Sequence, residues 1–324
     1  MTKKKNTTPI VFVRIIFFII ISLILGSGIY VYSIFNRVHP KNPKTVAIRK
    51  NYQINWTDRI NILLVGCDNR KDLFMGTRSD TMILLNLDLK NKNIRLMSIP
   101  RDTYVEVPGH SFTKINATIN EDYYSDGGIA LTLKTVEKMV ESDVKLFVQL
   151  DFEAFKKVVD AVGGVDLEVE KDMYYVDPTD GTNINLKKGM QKLDGDKALQ
   201  YVRFRNDEQG DFAVDYDGKV YGRVSRQTHF MRVLARKLAE TRNLLVINQI
   251  INIATRFTET NMDSSELLKL AMIYRDIDVE LNVKTINFPG NPDMIDGISV
   301  VKINTEALKE IIEKEFHNPP ATTP

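Results

Sequence analysis

The alternation of apolar and polar positions predicts three strands in the first part of the chain. Residues 60–65 form a short apolar run, and residues 81–88 are apolar enough to be a strand that is buried on both faces. The polar turn at residues 90–93 precedes a third run at residues 94–99, so the second and third strands are predicted to form a hairpin. Residues 66–79 have the composition of a loop.

The next part of the chain alternates between helix and strand periods. The predicted order is helix, strand, helix and strand, at residues 127–140, 146–150, 152–162 and 165–169. Gly163 and Gly164 mark the end of the second helix. This alternation predicts an α/β domain with a mixed central β-sheet covered by helices.

The remaining sequence predicts a loop, a short charged strand and a largely helical end. Residues 171–197 are polar and contain glycines, which predicts a long loop. A short helix around residues 198–199 leads into residues 201–205, which have the alternation of a strand. After them the sequence predicts a strand at residues 283–288 and helices at residues 222–241, 246–257, 264–274 and 305–316.

The N-terminal residues 15–35 contain no formal charge and are rich in Ile, Leu and Phe, which predicts one transmembrane helix. A cleaved signal peptide is the alternative, but the apolar run continues beyond the weak cleavage site at residues 26–28. The basic residues before the run place the N-terminus in the cytoplasm. We predict a cytoplasmic tail, a transmembrane helix, a linker, one extracytoplasmic domain and a short tail, at residues 1–14, 15–35, 36–58, 59–318 and 319–324.

Formal charge gives no indication of nucleic-acid binding. The chain carries +2, with 44 Lys and Arg against 42 Asp and Glu. Five of the basic residues and none of the acidic ones precede residue 38, so the remainder carries −3. Cys67 is the only cysteine, and no intrachain disulfide is therefore possible.

The strand at residues 94–99 runs directly into Pro100, Arg101 and Asp102. Loops that are held by a rigid sheet often carry function, and open α/β sheets bind ligands beyond the carboxyl ends of their strands. Arg101 and Asp102 are therefore candidate functional residues.

Two further stretches present paired cations. In a strand over residues 201–205, Arg203 and Arg205 share one face about 6.5–7 Å apart and suit a diphosphate, although a solvated pair on an edge strand fits the pattern equally well. Arg223, Arg226 and Gln227 share one face at the start of the next predicted helix. An anion bound there would offset the cost of two cations against the helix dipole.

Asp68 and Asp80 flank the loop at the ends of neighbouring predicted strands. Two carboxylates beside a diphosphate suit one Mg²⁺ ion. Ion pairs with Arg78 and Arg101 are the alternative, and the spacing does not rank the two. The four His residues are isolated, which disfavours zinc.

Several motifs, taken in order, resemble those of the LytR-CpsA-Psr family of membrane-anchored phosphotransferases of Gram-positive bacteria. The matching segments are residues 61–70 (NILLVGCDNR), 77–82 (TRSDTM), 98–104 (SIPRDTY), 113–117 (TKINA), 159–165 (VDAVGGV), 193–205, 210–212 (GDF) and 222–227 (GRVSRQ). The resemblance implies one α/β domain whose apolar pocket takes a polyprenyl chain, with the pyrophosphate at its charged mouth.

The implied reaction transfers a glycopolymer, such as wall teichoic acid or capsular polysaccharide, as its sugar phosphate from an undecaprenyl-pyrophosphate carrier to peptidoglycan. It would take place at the outer face of the cell membrane. By resemblance, the expected phosphate-binding residues are Arg78, Arg101, Lys114, Arg203, Arg205, Arg223 and Gln227, to which the helix pattern adds Arg226. Asp68 and Asp80 match positions linked to Mg²⁺ (or Mn²⁺). Arg101 and Asp80 are the expected catalytic residues, with Asp80 as general base.

Two features depart from the family pattern. Residues 213–221 separate two motifs that the family usually runs together, which lengthens the loop beside Arg223, and Cys67 stands where a small polar residue is common.

Two other functions stay open. One is a hydrolase of the same lipid-linked glycan, and the other is a non-catalytic cell-envelope regulator or lipid-pyrophosphate binder. The short tail before residue 15 is too small to fold as a DNA-binding module.

Overall fold

The computed structural model describes residues 52–68, 78–178, 181–204, 223–240, 246, 249–250, 253, 258–274 and 277–316, and the fold below refers to these residues. The strands are β1 (Arg59–Asp68), β2 (Arg78–Asp88), β3 (Asn93–Ile99), β4 (Tyr104–Glu106), β5 (Phe112–Lys114), β6 (Leu146–Asp151), β7 (Val165–Val169), β8 (Met173–Asp177), β9 (Thr182–Leu186), β10 (Gly189–Leu193), β11 (Thr258–Thr260), β12 (Val283–Ile286), β13 (Gly290–Ile295) and β14 (Ile298–Ile303).

The helices interleave with these strands. They are α1 (Ile129–Val140), α2 (Phe152–Ala161), α3 (Gly195–Arg203), α4 (Arg223–Glu240), α5 (Ser264–Tyr274), α6 (Val279–Asn282) and α7 (Thr305–Ile311). A 3₁₀ turn follows β5 at Ile115–Ala117, and one π-helical turn, Ile312–Phe316, continues α7. The helices predicted at residues 127–140, 152–162 and 264–274 are confirmed with small shifts of their ends.

A six-stranded mixed sheet lies at the centre, in the order β11, β6, β1, β2, β3, β12. Strand β2 is antiparallel to both β1 and β3, whereas β6 is parallel to β1 and β12 is parallel to β3. The predicted hairpin is confirmed, with Met82 of β2 opposite Ile99 of β3. Helices precede both parallel neighbours, as expected because a parallel pair needs a long crossover.

One face of this sheet, which we name the α1 face, forms the main core against α1 and α7. Its strand residues include Leu63, Leu84 and Met97, each with no exposed surface. Helix α1 buries residues at a spacing of three and four, which is the pattern of an amphipathic helix. Each large apolar side chain buried in this way contributes about 1.5–3 kcal/mol to folding.

The opposite face, which we name the α4 face, is packed less completely. Ile83 and Leu96 are buried there beside Met231 of α4. Leu64 and Leu85 also point to this face, in the middle of the sheet, but they are only half-buried. Apolar surface is therefore left between the centre of the sheet and α4, within the part of the chain that is described.

Two sequence predictions about residues 171–205 are wrong. Residues 171–197 carry three strands, β8 to β10, instead of a loop. Thr182, Ile184 and Leu186 of β9 alternate with exposed polar residues, so the average composition hid a period of two. Residues 201–205 do not begin a strand, because α3 extends to Arg203. Asp194 caps this helix by accepting the N–H of Lys197.

The N-terminal transmembrane prediction lies outside the described residues, as does nearly all of the helix predicted at residues 246–257. No helix within the described ranges is both long enough and apolar enough to cross a membrane.

Candidate functional site

Four strand ends meet at one edge of the central sheet. Because β6 is parallel to β1, both end at this edge, with Cys67 opposite Asp151. Strand β2 starts there and β3 ends there, since each is antiparallel to its neighbour. The backbone thus brings Asp68, Arg78 and Arg101 together from separate motifs. We name this edge, defined by Asp68, Arg78, Asp80 and Arg101, the charged edge.

The pairing of β1 with β2 changes register at the charged edge. Gly66 lies opposite Thr81 and Cys67 lies opposite Ser79, so Asp80 is an extra residue of β2 with no partner on β1. Such a β-bulge re-aims side chains and is common beside functional sites. The side chains of Asp68, Arg78 and Asp80 lie outside the described atoms; Asp68 is the last residue of β1, and Arg78 and Asp80 lie in the first three residues of β2.

Gln227 joins three of the motifs. Its side chain, in the first turn of α4, is 6% exposed. Nε2 donates to Oγ1 of Thr81 at 3.2 Å and to the carbonyl oxygen of Val202 at 3.1 Å. Thr81 follows Asp80 in the bulge, and Val202 precedes Arg203. The start of α4 is therefore docked onto the charged edge and onto the end of α3.

Arg203 lies beside the same edge. Its guanidinium carbon is 5.0 Å from the ring centre of Phe152, the first residue of α2, directly after β6. This geometry is a cation–π contact. The strand spacing predicted for Arg203 and Arg205 does not apply, because Arg203 is the last residue of a helix. Arg205 lies outside the described residues, and so does the side chain of Arg223 at the start of α4.

Arg226 has a different environment from the one predicted. Its side chain is buried, with Nη1 3.2 Å from Oε1 of Glu170 and Nη2 donating to the carbonyl oxygen of Phe204 at 2.6 Å. The guanidinium carbon also lies 5.3 Å from the ring centre of Phe204. These contacts tie α4 to the segment after β7 and to the end of α3. The prediction that Arg226 shares a phosphate-binding face with Arg223 and Gln227 therefore needs correction: Arg226 supports the site from inside the fold.

The turn after β3 holds a small ionic cluster. Nζ of Lys114 is 3.0 Å from Oδ1 of Asp102, and Nε of Arg101 is 3.6 Å from Oδ2 of the same carboxylate. All three side chains are about one quarter exposed. Two cations thus approach the carboxylate of Asp102. The structure thus brings Arg101, Asp102 and Lys114 together.

A cavity of about 560 Å³ opens beside this cluster. The β4–β5 hairpin, the 3₁₀ turn and the β13–β14 hairpin form its walls. Sequence reasoning gave no role to five of the lining residues, although the first and third of them lie in matching motifs: Tyr104, Phe112, Asn116, Asn120 and Tyr123. Tyr104 and Phe112 lie on strands of only three residues, and the other three residues lie in turns. Such short segments show no hydrophobic period from which they could be predicted.

The described ranges contain no group of three or more His, Cys, Asp and Glu residues that could hold a metal ion. The side chains of Asp68 and Asp80 are not among the atoms that this observation covers.

A mixed α/β domain that gathers cations at one sheet edge, between an apolar sheet face and a polar cavity, is suited to a ligand with a phosphate group and an apolar part. The chain belongs to the LytR_cpsA_psr family, whose model matches residues 29–317. The resemblance found in the motifs is thereby confirmed.

Two curated relatives carry transferase names. Polyisoprenyl-teichoic acid–peptidoglycan teichoic acid transferase TagV of Bacillus subtilis (strain 168) is 31% identical over 274 residues, which are 81% of this chain. This chain spans 66%, about two thirds, of the length of TagV. The corresponding TagU of Bacillus cereus (strain ATCC 14579) is 30% identical over 308 residues, which are 90% of this chain and 92% of TagU.

Two solved structures share the fold. The crystal structure of B. subtilis TagV has a TM-score of 0.64 at 30% identity and covers 80% of this chain and 97% of its own. The structure of the LytR-CPS2A-psr family protein YwtF (TagT) with bound octaprenyl pyrophosphate lipid has a TM-score of 0.57 at 26% identity. It covers 82% of this chain and 92% of its own.

Proposed function

We propose that this protein is a phosphotransferase that attaches a glycopolymer, as its sugar phosphate, to peptidoglycan from a polyprenyl-pyrophosphate carrier. The observation that carries the proposal is the convergence at the charged edge, where Gln227 joins the Asp80–Thr81 bulge to the end of α3. Membership of the family and the transferase names of TagV and TagU support it. Undecaprenyl as the lipid, and wall teichoic acid or capsular polysaccharide as the polymer, belong to the proposal.

In the proposed reaction, a hydroxyl oxygen of peptidoglycan attacks the phosphorus that carries the glycan. A phosphodiester bond forms while the bond from that phosphorus to the bridging pyrophosphate oxygen breaks, and the electron pair leaves with the polyprenyl phosphate. The hydroxyl proton passes to a carboxylate, which we assign to Asp80. Phosphoryl transfer depends mainly on positioning and on charge stabilisation, which Arg101 and Arg203 are placed to supply.

The α4 face supports a site for the lipid chain. Its half-buried residues Leu64 and Leu85 lie on β1 and β2, the strands that reach the charged edge. At the end of this face stands Gly66, where a Cβ would lie only 3.2 Å from Cβ of Thr81. A larger residue would crowd the path between the apolar surface and the charged edge. The bound octaprenyl pyrophosphate of YwtF (TagT) is consistent with a ligand of this kind.

Mg²⁺ (or Mn²⁺) is the proposed cofactor, and the backbone geometry fits it. Asp68 lies opposite Arg78, and Asp80 lies two residues further along β2. Both residues lie at the same end of neighbouring strands, which supports two carboxylates that share one ion. Mg²⁺ prefers one or two carboxylates with phosphate oxygens and water. When bound, it would neutralise charge on the pyrophosphate.

The proposed location is the cell membrane of a Gram-positive bacterium, with the domain on the outer face. Residues 15–35 would be the single span, with the N-terminus in the cytoplasm. Both the lipid carrier and the peptidoglycan are then within reach of one domain.

The experiment that tests this function uses the full-length protein in detergent. It is incubated with a synthetic polyprenyl-pyrophosphate-linked sugar and a peptidoglycan oligomer, with and without Mg²⁺, and the products are identified by mass spectrometry. A Mg²⁺-dependent gain of one sugar phosphate on the oligomer is expected. Cleavage of the lipid without that gain would favour the hydrolase, and binding without either product would favour the non-catalytic function.

A further inference from the structure

The cavity beside Arg101 lies on the α1 side of the central sheet, opposite the α4 face on which we place the lipid chain. The β4–β5 hairpin and the 3₁₀ turn that wall it pack through Val105 and Ile115 into the same hydrophobic cluster as Leu84 and Met97 of the α1 face. Helix α4 and the half-buried apolar residues belong to the other face. The cavity and the apolar surface of the α4 face therefore lie on opposite sides of the sheet, and Arg101, two residues after the end of β3, lines the cavity at the charged edge.

The lining of the cavity combines aromatic rings with amide groups. Tyr104 and Phe112 stack with ring centres 5.5 Å apart, and Tyr123 meets Tyr124 edge to face at 4.7 Å. Oδ1 of Asn120 accepts the N–H of Tyr123 at 3.2 Å, which holds the loop in place. Within the part of the chain that the structure describes, the side chain of Asn116 makes no hydrogen bond and is available to a ligand.

This mixture matches the chemistry of a saccharide. Pyranose rings present C–H groups that pack on aromatic faces, while their hydroxyl and acetamido groups exchange hydrogen bonds with amide side chains. Phe112 is 54% exposed and Tyr123 is 64% exposed, so both rings offer apolar surface to a partner. The volume of about 560 Å³ lies within the range of roughly 300–1,000 Å³ that is usual for ligand sites.

The geometry of phosphoryl transfer indicates which substrate would occupy the cavity. In phosphoryl transfer the attacking and leaving oxygens lie roughly in line on opposite sides of the phosphorus. With the polyprenyl phosphate leaving over the α4 face, the attacking hydroxyl must approach from the side of the cavity. We infer that this cavity binds the acceptor, a stretch of the peptidoglycan sugar chain, and presents its hydroxyl to the phosphate at Arg101. This inference rests on the proposed function.

The test measures acceptor and donor kinetics separately in full-length protein. Tyr123→Ala and Asn116→Ala remove a ring and an amide from the cavity without touching the ionic cluster. Tyr174→Ala is the matched control, because Tyr174 is 74% exposed on β8 and is not among the residues that line the cavity. We expect each cavity variant to raise the KM for a peptidoglycan oligosaccharide about tenfold. The KM for the lipid-linked donor should stay within twofold, and Tyr174→Ala should match the wild type.

The outcomes separate this inference from the proposed function. Wild-type KM for the acceptor in both cavity variants, or an equal rise in donor KM, would overturn the acceptor site. If the wild type transfers nothing, the proposed function fails, and direct titration with the same oligosaccharide, followed by nuclear magnetic resonance, then decides the inference. Binding that is lost in Tyr123→Ala and kept in Tyr174→Ala would support a saccharide site. The absence of wild-type binding would overturn it.

Discussion

Three arginines that look alike in the sequence have three different environments. Arg101 shares a carboxylate with Lys114 at the mouth of a cavity. Arg203 lies over the ring of Phe152 at the sheet edge. Arg226 is buried against Glu170. Only the first two are placed to meet a ligand, so equal charge does not mean an equal role.

Arg101→Ala should abolish most of the transfer while leaving the fold intact. Loss of one positioned charge donor typically lowers kcat by about 10²–10³, and the side chain of Arg101 is about one quarter exposed, outside the core. The measurement is transfer rate together with thermal unfolding. Lys138→Ala, which removes an exposed cation paired with Glu106, should keep full activity. An active Arg101→Ala would contradict the assigned role, and an unfolded one would make Arg101 structural.

Arg226→Met should destabilise the protein by about 3–5 kcal/mol, because it leaves the Glu170 carboxylate without its buried partner. Chemical denaturation measures this loss. The double variant with Glu170→Met should regain much of the stability, since no uncompensated charge remains. A stable Arg226→Met that no longer binds a prenyl pyrophosphate would instead return Arg226 to the ligand site.

At the scale of elements, Glu315 in the π-helical turn after α7 links the neighbouring strands β3 and β12. Nε of Arg95 on β3 lies 2.8 Å from Glu315, and Lys284 on β12 binds the other carboxylate oxygen. The hydrogen bond from Lys284, and then that from Arg95, hold the pKa of Glu315 below its ordinary value of 4.5, although burial opposes them. A carboxylate with a lowered folded-state pKa stabilises the fold above its unfolded pKa. That contribution is lost as the pH falls through the folded value.

Glu315→Gln should therefore lower the free energy of unfolding at pH 7 by about 1.5–3 kcal/mol, the usual worth of hydrogen bonds to a charged group. The difference from wild type should shrink as the pH falls below about 4.5 and through the lowered pKa. Chemical denaturation at pH 7 and at pH 3.5 measures it. Glu313→Gln, an exposed neighbour in the same turn, should differ little at either pH. A difference that is independent of pH would show that packing, not charge, matters at Glu315.

Elements with a strong period were predictable from the sequence, and those with a weak one were not. The apolar runs that form β1, β2, β3 and β6 were placed correctly, because burial imposes a clear pattern on them. The three-residue strands β4 and β5 are too short to show a period, so the cavity that they wall could not be foreseen. Residues 201–203 alternate like a strand, yet they form the last turn of α3, which begins after the cap at Asp194.

The site was predictable as a set of strand ends and motif positions, but not as contacts. Sequence order gave no means to see that Gln227 reaches Thr81, which is 146 residues away. Nor did it separate Arg226 from Gln227, which are adjacent in the helix but turn toward different partners. Both side chains are buried, and their partners in three dimensions, which sequence spacing does not contain, distinguish them.

At the scale of the whole molecule, the central sheet gives the proposed enzyme two sides. The α4 face offers apolar surface for a lipid, and the cavity on the α1 side offers aromatic and amide groups for a saccharide. The charged edge lies between them. This arrangement suits the proposed transfer from a lipid carrier to peptidoglycan.

An uncleaved N-terminal span should keep the protein in the membrane at its full mass. We expect mass spectrometry of the membrane-extracted protein to detect peptides from residues 1–35, and deletion of residues 15–35 to remove the protein from the membrane fraction. A shorter mature chain that begins after residues 26–28 would show that the segment is a cleaved signal peptide.

The most direct test of the central claim is a crystal structure of the protein with a short-chain polyprenyl pyrophosphate and Mg²⁺. We expect the phosphates within hydrogen-bonding distance of Arg101 and Arg203, the ion against Asp68 and Asp80, and the hydrocarbon along Leu64 and Leu85 on the α4 face. Phosphates bound away from the charged edge, or hydrocarbon in the cavity beside Tyr123, would contradict the account.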